Sequence, residues 1–270
     1  MVPVASARMY SWSPTLTAAW RRLLEWVAAR SGGGLQVLEL ADPYPLEKLW
    51  ARDDLGCVFM CGYPWAMLDE RPHLLAAPVP SPARYQGRPI YFTDFVVRAD
   101  SDYRTLEDTF GGRIAYSIEH SHSGYNAARF HLLGYRRPDR PTFYSQVVGP
   151  LHRQLPVIDA VLDGRADVGP VDAYGLDLLR HHGAERAKRV RVVATTVEAP
   201  SAPLVASPGV DAAARERITQ ALVHAHEAPD LAPTLDELLL ARFVRVREED
   251  FETFLDRQRE AERAGYPKLA

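Results

Sequence analysis

The chain has 270 residues, of which 47% are hydrophobic, 25% charged and 10% aromatic; it is long enough for a well-buried core, and its composition excludes disordered and fibrous classes. Lys and Arg total 32 against 35 Asp and Glu, a net charge of -3, which gives no electrostatic footprint for nucleic acid or for an anionic membrane. The opening MVPVASARMYSWSP lacks a basic start followed by an apolar core, and no uncharged run much exceeds about a dozen residues against the ~20 of a spanning helix, so the chain as written reads as cytoplasmic without membrane insertion, or as periplasmic if a signal segment has been removed.

In chain order, a first strand near 5–10 leads to Ser13 and Pro14, an N-cap and first-turn pair. Leu16, Trp20, Leu23 and Val27 then recur at spacings of four, three and four, which predicts one amphipathic helix ended by SGGG at 31–34. LQVLEL predicts a second strand, PLEKLW a short helix, LGCVFMCG a third strand and YPWAMLDE another helix start. This alternation implies a mostly parallel sheet with right-handed crossovers. Cys57 and Cys61, four positions apart on the third strand, are separated by about 13 Å, beyond the roughly 7 Å reach of a disulfide, and are expected to be reduced core residues.

LLAAPVP and the Pro-rich turn SPARYQGRP lead to an extended run, IYFTDFVVRA, at 90–99. A second alternating series follows: GGRIAYSI strand, a helix from Tyr125 to a stop at Gly134, PTFYSQVV strand, PVIDAVLDG helix, RADVGPV strand, DAYGLDLLRHH helix and RVRVVATT strand. After the Pro-rich EAPSAPLVASPGV at 198–210 come helical patterns alone, over 211–227, 231–243 and 248–264, and the chain has no internal repeats or low-complexity tracts. Return of these helices to the first lobe predicts two α/β lobes with linkers near 90–96 and 200–206, and a ligand cleft that closes by hinge bending.

Phosphate loops, dinucleotide-binding glycine motifs, H-E-x-x-H, C-x-x-C and the G-x-S-x-G elbow are all missing. His224, His226 and Glu227 sit on a predicted helix, where residues two apart do not share a face, so no metal is assigned there. His181 and His182 end a helix, where histidine complements the negative dipole end.

The stretch EHSHSGYNAARFHLLG at 119–134 differs. Ser121-His122-Ser123-Gly124 lies at a strand-to-helix turn, the place where open α/β sheets bind ligands. First-turn N–H groups, the positive dipole end and the two serine hydroxyls would converge there on one oxyanion. A plain N-cap explains the serines locally as well. A nucleophilic serine needs a base oriented by a third group, which adjacent residues on a turn seldom supply, and no catalytic residue is assigned. Beside a bound anion and a helix start, His122 is pulled towards imidazolium by the one and away from it by the other; the remaining alternative is that it points to solvent.

Aromatic residues near strand ends divide in two. Trp12, Trp65 and Tyr85 read as core, whereas Tyr10 and Tyr63 follow predicted parallel strands and are candidates for reaching a ligand. Tyr91 and Thr93, two apart on an extended run, share one face.

Cys61-Gly62-Tyr63-Pro64 after a strand, Tyr91-x-Thr93 before Val96-Val97-Arg98-Ala99-Asp100-Ser101, Leu106-Glu107-Asp108 before Gly111-Gly112, Ser121-His122-Ser123-Gly124-Tyr125-Asn126-Ala127, and Asp159-Ala160-Val161-x-x-Gly164-x-Ala166-Asp167-Val168 form an ordered set over roughly residues 9 to 206. In order and spacing this set resembles the phosphate/phosphonate-type substrate-binding proteins of ABC transporters. The resemblance implies an α/β, type 2 periplasmic-binding-protein fold, with lobe one from 1–94 and 203–270 and lobe two from 95–202. It implies a small anionic ligand such as phosphate or a phosphonate, no cofactor, and an ABC permease as partner if the chain is exported. Carried over, Ser121, His122 and Ser123 hold the anion, Tyr63 and Thr93 approach it from lobe one, and Asp172 faces a ligand hydroxyl or ammonium; Tyr10, Tyr91, Tyr125 and Asn126 complete the candidate ligand-binding set. His122 stands where threonine is frequent in the family. Gly149-Pro150-Leu151-His152 stands where Gly-Ser-His is common, which leaves His152 a weak candidate. The alternative is a cytoplasmic enzyme of the same fold acting on a small carboxylated or phosphorylated metabolite, since menaquinone-pathway and thiamine-pyrimidine enzymes share this architecture.

Overall fold

A computed structural model of the chain, describing residues 2–40 and 43–270, divides into two units, Met1–Ile90 with Pro200–Phe251 and Tyr91–Ala199 with Glu252–Ala270. Residues 41 and 42, inside the expected lobe one, lie outside the described residues. The chain passes between units three times, after Ile90, Ala199 and Phe251.

The first unit opens with β1 (Val4–Ser6) and a 3-10 turn, Arg8–Tyr10. The Ser13-Pro14 signal is used as the sequence predicts: Ser13 Oγ accepts from Leu16 N at 3.2 Å and starts α1 (Pro14–Arg30). The face carrying Leu16, Trp20, Leu23, Leu24 and Val27 is buried. Each such side chain contributes about 1.5–3 kcal/mol on burial. Trp20 packs edge-on to Phe59 at 5.0 Å between ring centres, and Tyr10 does so at 5.2 Å. β2 (Gln36–Val37), α2 (Leu46–Trp50), β3 (Leu55–Phe59), α3 (Gly62–Met67) and β4 (His73–Pro80) follow, and β5 (Ile90–Tyr91) spans the passage to the second unit. Cys57 is buried and Cys61 half-buried, and neither forms a disulfide.

The second unit runs through β6 (Thr93–Arg98), β7 (Arg113–Ala115), α4 (Ala127–Leu132), β8 (Gln146–Val148), α5 (Gln154–Leu162), β9 (Gly169–Asp172), α6 (Ala173–His181), α7 (Glu185–Lys188), β10 (Val190–Thr195) and β11 (Ala199–Pro200). β6 is central between β10 and β9, antiparallel to both, and Thr93 lies opposite Asp172. β7 and β8 are parallel. Phe95, Val97, Ile114, Ala128, Leu132 and Val168 build the core between these strands and α4.

The chain then returns through β12 (Leu204–Ala206), α8 (Ala212–Val223), α9 (Ala232–Glu237), β13 (Leu240–Val244) and α10 (Thr253–Arg263). The sheet of the first unit has the order β13-β4-β12-β3-β1-β2. Only the β1–β2 and β1–β3 pairs are parallel; β12 enters antiparallel between β3 and β4, and β13 pairs antiparallel with β4. The expectation of mostly parallel sheets is corrected to mixed sheets, because segments returning from distant chain fill positions that local alternation does not encode.

Two further expectations change. The pattern at 231–243 is helical only to Glu237; Leu239 takes a left-handed φ of 50°, and β13 begins at Leu240. The last helix, expected in lobe one, groups with the second unit, where α10 packs against α4.

Candidate anion site

In the second unit the chain leaves β7, passes Tyr116 and Ser117, and enters a helix at Ser121. Ser121 is extended, with φ -86° and ψ 132°, and its Oγ accepts from Gly124 N at 3.0 Å. The first turn, His122–Asn126, is a π-turn in which Asn126 N donates to Ser121 O at 3.0 Å. Such turns carry one residue more than an α-turn and recur at functional sites. The turn places Ser123 beside α5: Gln154 Nε2 donates to Ser123 Oγ at 3.2 Å, and Gln154 Oε1 accepts from Asp172 N, also at 3.2 Å. One amide therefore ties the helix start to the end of β9.

Asp172 is 6% exposed and caps α6, its Oδ1 accepting from Gly175 N at 2.9 Å. Burial pushes its carboxyl up to about 7, the backbone N–H groups of Gly175 and Tyr174 pull the other way, and Asp94 and Asp177 add to the rise. Facing it across the strand pair, Thr93 has its Oγ1 buried without a hydrogen-bond partner. Ser117 Oγ, beside the helix start, is in the same position. An unsatisfied buried hydroxyl costs about 1–3 kcal/mol, so Ser117, against the turn, and Thr93, opposite Asp172, are places where a hydrogen-bonding ligand would be satisfied.

The imidazole of His122 does not lie at a solvent-facing helix mouth. It is 1% exposed, packed edge-on against Phe254 at 4.4 Å and near Tyr91 at 6.1 Å between ring centres. Burial, reinforced by the Arg257 cation, holds its pKa well below the ordinary histidine value. The solvent-facing alternative is thereby overturned, and an imidazolium paired with a ligand is disfavoured by the same surroundings.

Tyr125 and Asn126 bind protein groups: Tyr125 Oη accepts from Leu269 N at 3.2 Å, and Asn126 Nδ2 donates to Phe254 O at 3.0 Å while its Oδ1 accepts from Arg129 at 2.9 Å. Tyr91 is buried in the second unit. Tyr10 and Tyr63 belong to the first unit, Tyr10 in the Trp20–Phe59 aromatic cluster and Tyr63 buried in the first turn of α3. His152 is exposed, and its backbone N donates to Ser117 O at 2.8 Å. His224 bonds Glu227 and Gln220 on the surface, and among the described residues no cluster of three or more His, Cys, Asp or Glu is arranged to hold a metal.

Sequence reasoning misses three residues here. Ser117, Gln154 and Arg257 lie on three separate segments. Only Ser117 carries a local signal, as a hydroxyl at a strand end just before the turn.

The family model described as ABC transporter, phosphonate, periplasmic substrate-binding protein matches residues 10–251. No curated protein matches the sequence significantly. Among solved structures, a binding protein component of an ABC phosphonate transporter from Pseudomonas aeruginosa superposes with a TM-score of 0.79 at 15% identity, covering 98% of this chain and 88% of that one. The Prochlorococcus marinus protein PhnD1, solved with methylphosphonate, gives 0.74 at 11% identity over 96% of this chain and 97% of that one. A Xanthomonas citri protein solved with bound ATP gives 0.63 at 20% identity over 92% and 95%. At these identities the likeness establishes the fold, a type 2 periplasmic-binding-protein architecture, and no helix among the described residues is long and apolar enough to cross a membrane. With the family model spanning nearly the whole chain, the protein belongs to the periplasmic substrate-binding proteins of phosphonate ABC transporters.

Proposed function

We propose that this protein binds a phosphonate or a related phosphoryl oxyanion at the Ser121–Asn126 turn of the second unit and presents it to an ABC permease. The observation that supports the reading is a helix start carrying two serine hydroxyls, Ser121 and Ser123, with the unpartnered hydroxyl of Ser117 against its Gly124. A tetrahedral oxyanion offers several acceptor oxygens to such a set, and the positive end of the helix dipole favours its charge.

Asp172, whose backbone N–H is tied to that turn through Gln154, is the carboxyl we assign to the non-phosphoryl end of the ligand. An ammonium there would favour ionised Asp172, and a hydroxyl would accept a proton-shared hydrogen bond. The chemistry therefore favours a small phosphonate bearing an amino or hydroxyl group.

Calorimetric titration with methylphosphonate, 2-aminoethylphosphonate and inorganic phosphate tests the reading. Replacing both Ser121 and Ser123 by alanine removes hydrogen bonds to a charged group, each worth about 1.5–3 kcal/mol, and is expected to weaken binding at least ~10-fold with little change in melting temperature. Unaltered affinity in the double variant would sink the assignment of the turn.

A further inference from the structure

The expected anion contact, His122, has both ring nitrogens turned towards donors. Arg257 Nη1 lies 3.2 Å from Nε2, and Asn126 Nδ2 lies 3.4 Å from Nδ1. The Asn126 amide is oriented by two other bonds, its Nδ2 donating to Phe254 O and its Oδ1 accepting from Arg129. Guanidinium has donors only. An imidazolium would set N–H against N–H at both positions, whereas each neutral form does so at only one, so the geometry favours a neutral ring. Of the two neutral forms, the one with a bare Nε2 takes the shorter and charge-assisted bond, from Arg257.

Arg257 is itself held. Its Nη2 donates to Glu198 O at 2.6 Å, and its guanidinium lies over the Phe130 ring at 5.5 Å. It sits on α10, one turn after Phe254, whose ring packs on His122 and whose carbonyl holds Asn126. The same segment continues to Pro267, whose carbonyl accepts from Arg129, and to Leu269, whose N–H reaches Tyr125. The C-terminal segment thus grips the π-turn and the start of α4 at His122, Tyr125, Asn126 and Arg129, four residues of one helical face. The titratable and charged groups around His122 include Arg257 on α10 and Tyr91 at the end of β5, and Arg257 in turn meets Glu198, before β11, at its carbonyl.

We propose that Arg257 is a positioning residue for the anion turn: by donating to Nε2 of His122 it fixes the ring in the Nδ1–H tautomer and thereby fixes the backbone between Ser121 and Ser123. Ligand then meets a preformed turn, and affinity does not follow the titration of a histidine. The inference rests on the reading that this turn receives the ligand, and its experiment separates the two.

The first arm needs no ligand. In protein carrying ¹⁵N-labelled histidine, with His122 assigned by its loss in His122→Gln, Nε2 is expected to show the shift of an unprotonated nitrogen from about pH 8.5 down to about 5.5, below the ordinary histidine midpoint near 6.5. A native His122 that titrates near 6.5, or that carries its proton on Nε2, overturns the proposal whether or not any phosphonate binds. In Arg257→Met the His122 midpoint is expected to rise, and in Arg257→Lys, which restores a cationic donor, to stay low.

The second arm measures methylphosphonate affinity over the same pH range. Arg257→Met is expected to weaken binding roughly tenfold, with a ratio to native that changes with pH as His122 titrates; the ligand's own titration is common to both proteins and cancels in that ratio. Arg257→Lys is expected to keep a ratio independent of pH. If Arg257→Met leaves both the His122 titration and the affinity at their native values, the proposal is wrong. If native protein does not bind methylphosphonate, the functional reading fails, and the first arm still decides the Arg257–His122 pairing.

Discussion

The hydroxyl of Ser117 lies against Gly124: a Cβ built on Gly124 would overlap Ser117 Oγ and come within 2.9 Å of Ser117 Cβ and 3.1 Å of Ser121 Oγ. Glycine is required here by close approach and not by a left-handed backbone, since Gly124 has no positive φ. In an unobstructed helix, Gly to Ala would stabilise by about 1 kcal/mol, and the overlap reverses that sign.

Gly124→Ala is therefore expected to displace the turn, weakening methylphosphonate at least ~10-fold and lowering the melting temperature. Adding Ser117→Ala removes the overlapping oxygen and is expected to restore part of the lost melting temperature. Calorimetry and thermal melts on the two single variants and the double variant would show this as non-additivity, and strictly additive effects would count against the close approach as the cause.

Gln154 carries a second prediction, because its amide is shared between Ser123 Oγ and Asp172 N. Gln154→Leu keeps the bulk and removes both bonds, so Ser123 loses its orientation and Asp172 N loses an acceptor. Affinity is expected to fall by roughly tenfold or somewhat less, and the loss is not expected to add to that of Ser123→Ala, since both changes break one linkage. Full additivity in the cycle would show that Gln154 acts elsewhere.

The Asp172 carboxyl, raised from 3.8 to about 7 by burial, gives stability a definite pH dependence. The native state holds a proton there that the unfolded chain gives up above 3.8. Its contribution is complete below that value and is lost as pH rises through about 7, at no more than about 1.4 kcal/mol per pH unit. Asp172→Asn keeps the helix cap, as Asn serves that role, and cannot ionise. The stability of Asp172→Asn relative to native is expected to grow between pH 5 and pH 8. Urea unfolding at the two pH values measures it, and an equal difference at both would contradict a raised Asp172.

The two cysteines should behave differently towards a thiol reagent. Burial pushes the Cys57 thiol up to about 12, which leaves almost no thiolate at pH 8, while Cys61 at the start of α3 is half-buried. One thiol per chain is expected to react in native protein and both in denaturant. Rapid native labelling of Cys57, located by peptide mass, would show that the β3 strand opens easily.

Much of this site was legible locally. A hydroxyl before an apolar helical period marks an N-cap wherever it occurs, so Ser13 and Ser121 were readable as helix starts. Asp172 was readable as the end of a strand, and it begins α6 as its cap. The pattern at 231–243 was misread because its apolar spacing suits a helix or a strand; the break at Leu239 is a left-handed turn made by a residue that carries no turn signal.

What the sequence by itself determined was the order of α/β elements and the polar turn at Ser121, because caps and periodicity are interactions between residues a few positions apart. The tertiary structure alone decided which distant segments complete them. β12 enters the first sheet antiparallel from beyond residue 200, Gln154 joins Ser123 to Asp172, and Arg257 meets His122 from α10. The charge states follow from the same packing: His122 is neutral and the Asp172 carboxyl is raised because burial removes water from both, and burial is a property of the fold that no short stretch of sequence encodes.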